Sequence, residues 1–577
     1  MAKYDRPIPA LLLTDFYKTC HRAFYNPETK QLVAYWTPRK SRLEYIDKVV
    51  CFGLQAYIKK YLIDRFDDTF FNRPWSDVRQ EYVEYISATL DKEIANGEID
   101  AFKRIHEAGF LPILIRAVPE GTLVPIGCPM IEFRATAPWA FWLVNYLETI
   151  GSCNLWLPMT DATLAYYNRK LVDEWFERTC EDNVSRSAAC GDFSMRGMAG
   201  EDAAVMGDAG HLLSFSSTAT IGTAWWLRNF YNAPLTVCKG TPSTEHSVAE
   251  SFGPDREQEM YEYVACKQRP TGILSMVSDT WDLWNVITKE LPELKDKLMQ
   301  RDGKVVIRPD SGDPVDIICG TLRPHDARVM PVDSTRDEIS KQVSEWASDA
   351  WDGSSVYDEY SVDIRIGNTI RHVVAYYSWD EDENNYTPSI DEIEIGEARD
   401  LSPAELGVVE LLWGIFGGTV NSKGFKVLDS HIGVIYGDAI TNGRAYAIYS
   451  RLAEKGFASN NVTLGFGAYT YQYVTRDTFG FALKVTHGVL EKDGSDVEVM
   501  MFKDPVTDYG SHCAGKKSQK GMCIVTKSDD GKVRFTDGHT ISESDNKENL
   551  LRPVFCDGKL LVDDDFETIR RRLHPNF

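Results

Sequence analysis

Short apolar runs that end abruptly in charged or glycine-rich tips recur along this chain. Val305-Val306-Ile307 runs into Arg308-Pro309-Asp310-Ser311-Gly312-Asp313-Pro314, Ile273 to Val277 into Ser278-Asp279, Ile432 to Tyr436 into Gly437-Asp438, and Val462 to Leu464 into Gly465-Phe466-Gly467. Upstream, Cys190-Gly191-Asp192-Phe193 leads into Ser194-Met195-Arg196-Gly197. A β-branched run without alternation predicts a strand buried on both faces. Its polar terminus is then held at a sheet edge, where open α/β sheets and barrels place their ligands. For a single tip, a strand-end salt bridge and a Pro/Gly turn would be explanation enough; the recurrence points to a shared site.

The same patterning divides the chain. The first hundred residues alternate aromatic strands (Leu32 to Trp36) with helical stretches such as Phe52 to Tyr61, and Leu111 to about Phe141 is β-rich, punctuated at Pro119-Glu120-Gly121 and Pro125-Ile126-Gly127. Apolar residues at helical spacing from Leu164 to Arg178 predict a supporting helix. Between Ser187 and Lys484 a unit of strand, polar tip and helix repeats, which predicts an α/β fold with an irregular parallel (β/α) barrel-like core. Cys319 to Ser402 breaks that rhythm: strand-like Val362 to Ile366 and His372 to Tyr377 lead to the acidic stretch Ser378 to Asn385. Its aromatic and β-branched content predicts an insertion subdomain, not disorder. The expected division is therefore 1–150 as the N-terminal part of a mixed α+β sheet domain, 151–318 as the first part of the core, 319–403 as the insertion, 404–490 as the second part of the core, and 491–577 as a return to the sheet domain.

Composition narrows the partners. The 577 residues are 43% hydrophobic and 12% aromatic, as in a folded globular protein, and the net charge is -23. Such a balance argues against nucleic acid or an anionic membrane as partner, because phosphate backbones call for clustered Lys and Arg. No apolar run is long enough to span a bilayer. The 12 cysteines show no metal-binding spacing, and Met1-Ala2-Lys3-Tyr4-Asp5 does not begin a secretory leader. A cytoplasmic protein with reduced thiols is expected.

If the tips are successive core strands, Asp279, Asp310, Asp438, Arg196 and Arg308 converge on one face. Carboxylates with two arginines suit a polyanionic substrate that carries sugar hydroxyls and a bound Mg²⁺. Gly465 and Gly467 precede a helix-like stretch toward Arg476, where backbone N–H groups could approach a phosphate. A barrel glycosidase using paired carboxylates is an alternative, but it leaves the arginines and these glycines without a task. Gly510-Ser511-His512-Cys513-Ala514-Gly515-Lys516-Lys517 is nearly a P-loop, with Lys517 where Ser or Thr would bind Mg²⁺, and reads as a basic loop.

Leu13-Thr14-Asp15-Phe16-Tyr17-Lys18, Asp192-Phe193 with Arg196-Gly197, Glu245-His246-Ser247, Val277-Ser278-Asp279, Ile307-Arg308-Pro309-Asp310-Ser311-Gly312, Gly437-Asp438, Thr475-Arg476-Asp477 and Phe502-Lys503-Asp504-Pro505 resemble, in order, the motifs of the nicotinamide phosphoribosyltransferase family. The similarity covers roughly Ala10 to Asp316 and Ala404 to Arg572. It implies a type II phosphoribosyltransferase: an irregular barrel plus a sheet-rich domain, assembled as a homodimer with shared active sites. The implied reaction joins nicotinamide to the pyrophosphate-activated ribose 5-phosphate PRPP, releasing pyrophosphate and giving nicotinamide mononucleotide in NAD biosynthesis and salvage. By the same resemblance, Phe193 and the partner copy's Tyr17 would sandwich the pyridine ring, and Asp15 would line the substrate site. Arg196 and Arg308 would bind pyrophosphate or position the base, Asp310 and Asp438, beside Gly437, would hold the ribose hydroxyls, and Asp279 would complete the Mg²⁺ side. Gly467, Ala468 and Arg476 fall on the phosphate side, with Arg39, Lys484 and Lys503 at its end. His246 matches a histidine that is phosphorylated when ATP hydrolysis is coupled to synthesis.

Three departures bear on the substrate. Ala219 stands where the family has an aspartate that accepts a hydrogen bond from the carboxamide, which opens nicotinate as an alternative base. Gly467-Ala468-Tyr469 replaces consecutive glycines, and Tyr473 replaces a lysine. The insertion falls between two ribose-binding strands. The alternative donor is ADP-ribose pyrophosphate, giving NAD directly. A dimeric ligand-binding protein without catalysis is a further alternative, against which Arg308, Asp310 and Gly437-Asp438 speak.

Overall fold

A computed structural model describes residues 6–351, 359–379, 388–504, 506–507, 511–512, 518–545 and 548–577. Met1 to Asp5, where no secretory leader was expected, most of the acidic stretch, Pro505 and most of the Gly510 to Lys517 loop lie outside the described residues. The chain folds as two compact units, one of 1–170, 190–240 and 466–577, the other of 171–189 and 241–465.

A seven-stranded sheet organises the first unit. Its spatial order is Ser495–Met500, Phe481–Lys492, Thr29–Pro38, Ile131–Ala135, Ile113–Ala117, Arg552–Cys556 and Lys559–Leu560, with antiparallel neighbours. The Phe481–Lys492 strand pairs with Thr29–Pro38 from Leu490 to Phe481. Residues 481–490 therefore belong to this sheet and not to the parallel core, where the expected boundary at 490/491 had put them. One face of the sheet carries a buried polar ladder. The Tyr35 hydroxyl donates to Glu132 Oε2 at 2.8 Å, Arg134 Nε donates to Glu132 Oε1 at 2.9 Å, and Asp545 accepts from both Arg116 and Arg134. Residues 132 and 134 share a face because strand side chains alternate.

Residues 190–240 also pack in this unit. The helix Ile221–Tyr231 buries Trp226, Leu227, Phe230 and Tyr231 against Val50, Phe52 and the C-terminal helix Phe566–Leu573. The supporting helix seen in the sequence extends well beyond Leu164 to Arg178, running from Glu148 to Thr179 with Pro158 inside it.

In the second unit the strands Leu274–Val277, Val305–Arg308, Ile432–Tyr436 and Val462–Phe466 lie side by side, all parallel. Their interiors are buried: Val305, Ile307, Val434 and Leu464 are almost wholly enclosed. Within the 319–403 segment, the strands Arg328–Met330, Glu359–Ile366, Thr369–Trp379 and Pro388–Ile395 form a sheet with Arg399–Asp400 at its side. The helix Arg336–Ala350 was not apparent from the strand-like flanks. It starts at a Thr335–Glu338 capping box and buries Ile339, Val343 and Ala347 at helical spacing. These three join Ile364, Val373 and Ala375 in an apolar cluster of the insertion's own. Among the described residues, no helix is long and apolar enough to cross a membrane.

Candidate active site

The strand tips of the second unit gather acids around one phenol. Val305–Arg308 pairs with Leu274–Val277, setting Arg308 opposite Val277, and with Ile432–Tyr436 on its other side. The polypeptide leaves the strand at Pro309, and Gly312, at φ +93°, makes the reversal that an L side chain would resist. Asp313 then caps the helix Pro314–Cys319, accepting from the N–H groups of Val315 and Asp316. This geometry leaves Arg308 and Asp310 at the tip, where the guanidinium donates to Asp310 Oδ2 at 2.8 Å. Ser311 Oγ donates to Asp279 Oδ2 at 2.5 Å, while the other Asp279 oxygen is buried without a partner. The Tyr436 hydroxyl donates to the Gly312 carbonyl at 2.8 Å. Burial raises its pKa, and the charges of Asp438, Asp310, Asp279 and Asp313 raise it further. That common influence is the sign that the expected carboxylates of this unit converge.

His246 joins the same group. It opens the helix His246–Phe252, with Glu245 at the N-cap. Its Nδ1 lies 3.2 Å from Thr280 Oγ1 and its Nε2 3.8 Å from Asp310 Oδ2. Asp438 is exposed beside Gly437. Thr280, Ser311 and Tyr436 are neighbours that the motifs did not single out. Tyr436 could have been found, because it is the polar last residue of an apolar strand. Among the described residues, no three His, Cys, Asp or Glu side chains are grouped to hold a metal by themselves.

The other expected residues lie in the first unit, Arg196 among them. Cys190–Asp192 pairs in parallel with Ser217–Thr218, the Phe193 N–H donates to the Phe466 carbonyl at 2.9 Å, and the Ala219 N–H to the Asp192 carbonyl at 2.9 Å. Phe193 is half-buried, whereas Arg196 and Ala219 are exposed. The expected helical stretch after Gly467 is one turn, Ala468–Tyr471, followed by a separate turn at Arg476–Thr478. Ala468 fits because a neighbour gives way: a Cβ on Gly197 would come within 2.5 Å of the Ala468 Cβ. The first N–H groups of that turn have no acceptor inside the helix and suit an anion.

Asp15, Tyr17 and Arg476 line one cavity of about 290 Å³ together with Glu148, Thr149, Ser152, Cys153 and Trp156. Thr149 Oγ1 donates to Asp15 Oδ2 at 2.7 Å, and Lys484 approaches Glu148 at 3.7 Å. Glu148, Ser152 and Trp156 follow one another at four-residue spacing on a single helix, a signal present in the sequence. Arg39 donates from Nε to the Gly480 carbonyl at 3.0 Å, and Lys503 is exposed. Tyr17 is 56% exposed, and its ring neighbour among the described residues is His21, not Phe193.

Comparison with known proteins fits this arrangement. The nicotinate phosphoribosyltransferase (NAPRTase) family matches residues 188–353 and 391–559, and the nicotinamide phosphoribosyltransferase N-terminal domain matches residues 9–67. A nicotinamide phosphoribosyltransferase of Acinetobacter baylyi is 35% identical over 97% of this chain and 96% of its own length. One from Xanthomonas campestris is 29% identical over 90% of this chain and 87% of its own. The crystal structure of nicotinate-nucleotide pyrophosphorylase from Pyrococcus furiosus has the same fold, with a TM-score of 0.50 at 12% identity, covering 99% of this chain and 97% of that one. This chain belongs to the nicotinate phosphoribosyltransferase family, on its nicotinamide phosphoribosyltransferase branch, and is a phosphoribosyltransferase enzyme.

Proposed function

We propose that this enzyme joins nicotinamide to PRPP, releasing pyrophosphate and giving nicotinamide mononucleotide, and that it works as a Mg²⁺-dependent homodimer in the cytoplasm. The observation that carries the chemistry is the strand tip at which Asp310 meets both Arg308 and His246 while three more carboxylates converge on Tyr436. In the reaction the pyridine nitrogen attacks ribose C1 as pyrophosphate leaves, through a transition state with oxocarbenium character. Asp310 and Asp438 hold the ribose hydroxyls and set negative charge beside the developing cation. Arg308 takes up charge on the departing pyrophosphate. The attacking atom belongs to the substrate, so no enzyme nucleophile is needed.

The acids also fit the expected metal. Asp279 keeps one buried oxygen unpaired, a hard donor of the kind Mg²⁺ takes together with substrate phosphates and water. Asp279 would hold Mg²⁺, which supplies charge neutralisation on the phosphate side. The dimer rests on the two aromatics: Tyr17 and Phe193 do not stack within one chain, among the described residues, and both have exposed surface. A sandwich around the pyridine ring then draws Tyr17 from a second copy. The described cysteines form no disulfides with one another and suit a reducing compartment. Membership in the family leaves the glycosidase alternative without support.

Incubation with nicotinamide, Mg²⁺ and either PRPP or ADP-ribose pyrophosphate, with products separated by chromatography, tests the reading. The expected product is nicotinamide mononucleotide from PRPP; NAD formed from the other donor, with nothing from PRPP, overturns it. His246 is proposed as the site of phosphorylation when ATP is coupled. His246→Ala is therefore expected to lose the whole stimulation by ATP, measured as initial rate with and without ATP at limiting PRPP. Full stimulation in the variant would contradict the assignment.

A further inference from the structure

Behind Phe193 and Ala219 the first unit encloses three carboxylates. Asp161, Asp192 and Asp208 are each 0% exposed, and none is paired with Lys or Arg among the described residues. Neither oxygen of Asp161 has a hydrogen-bond partner among the described residues, whereas Asp192 and Asp208 interact with each other through their carboxyl groups. Burying an acid this completely without a cation is costly unless the group is neutral or serves a purpose. The packing makes room for it: Gly207 passes so close that a Cβ there would come within 2.5 Å of Asp161 Oδ2.

The trio is wired to the base side by short links. Thr218 Oγ1 donates to Asp208 Oδ2 at 2.8 Å, the Ser194 N–H to Asp192 Oδ1 at 2.6 Å, and the Ala219 N–H to the Asp192 carbonyl at 2.9 Å. Asp192 directly precedes Phe193. The next titratable groups add no positive charge. His211 donates from Nε2 to the Ser217 carbonyl at 3.2 Å, and its Nδ1 lies 2.7 Å from the Tyr471 hydroxyl. Burial holds its pKa down at about 3.

We infer that Asp161, Asp192 and Asp208 together give the base site its preference for a neutral carboxamide over a carboxylate, supplying from beneath the negative charge that Ala219 does not offer. The inference rests on the proposed reaction and names its specificity determinant. Burial raises the pKa of all three acids, and Asp192 further raises those of Asp161 and Asp208. A nicotinate carboxylate entering beside Ala219 meets the acidic trio across protein rather than water, where repulsion is poorly screened. Nicotinamide meets no such repulsion.

The test is the ratio of kcat/KM for nicotinamide to that for nicotinate, a quantity that a merely structural loss moves equally in both terms. Combining Asp192→Asn with Asp208→Asn is expected to lower the ratio by roughly tenfold or more, through gain with nicotinate, and adding Ala219→Asp to that background is expected to restore it. A folded double variant with the wild-type ratio overturns the inference. Should the double variant not fold, calorimetric binding of the two bases to the wild type decides: preference for nicotinamide supports the trio, and equal affinity overturns it. Wild type that turns over neither base fails the proposed reaction itself, and is thereby distinguished from a failure of the trio alone.

Discussion

Asp310→Asn is expected to lower kcat by about a hundred- to a thousand-fold while leaving the unfolding midpoint close to that of the wild type. The carboxylate is partly exposed at a strand tip, with its side chain 27% accessible, so its removal disturbs little packing. What it loses is charge at the one point where Arg308 Nη2, at 2.8 Å, and His246 Nε2, at 3.8 Å, meet the same oxygen. Asparagine keeps the shape and can still accept a hydrogen bond. It cannot oppose the positive charge that grows on the ribose ring as pyrophosphate departs. Steady-state kinetics at saturating nicotinamide and PRPP read the effect in kcat. Wild-type turnover in Asp310→Asn would remove this residue from the mechanism.

Glu132→Ala has the largest expected effect on stability, a loss of about 3–5 kcal/mol, because truncation leaves a buried cation without its partner. Glu132 is fully enclosed, accepts from Tyr35 and Arg134, and sits in the central strand of the seven-stranded sheet. Asp545 also contacts Arg134 but is half-exposed, so it replaces the lost charge only in part. Glu132→Gln keeps an acceptor oxygen for Arg134 and turns its amide N–H toward the Tyr35 hydroxyl oxygen, and is expected to cost less, about 1–3 kcal/mol. Urea unfolding followed by near-ultraviolet circular dichroism separates the two variants. An Ala variant with the wild-type midpoint would show that the ladder contributes nothing to the fold.

The strand tips were legible because a β-branched run and its charged terminus carry two independent signals, burial and function, in adjacent residues. As buried strands, Val305–Arg308 and Ile432–Tyr436 read correctly for that reason. The boundary at 490/491 was not legible: Phe481 to Leu490 is as apolar as a core strand, and only its antiparallel partner, Thr29–Pro38, assigns it to the other sheet. The helix after Gly467 was expected to run further because Ala468 to Gln472 contains no breaker, whereas the structure ends it after one turn. The buried acids escaped notice for the opposite reason. An aspartate at position 161 or 208 of a helix reads as a solvated face, and burial of a lone carboxylate is a tertiary fact that helical periodicity does not encode. Position 219 shows the same limit, since a residue's absence from one element says nothing of what a neighbouring element brings to the same place.

One measurement bears on the central claim most directly: purified enzyme with nicotinamide, PRPP and Mg²⁺, quenched over time, with nicotinamide mononucleotide and pyrophosphate quantified in the same samples. The two products are expected to rise together in equal amounts and to be nearly absent with Asp310→Asn. Failure of the wild type to form the mononucleotide, or mononucleotide formed without pyrophosphate, would contradict the proposed reaction.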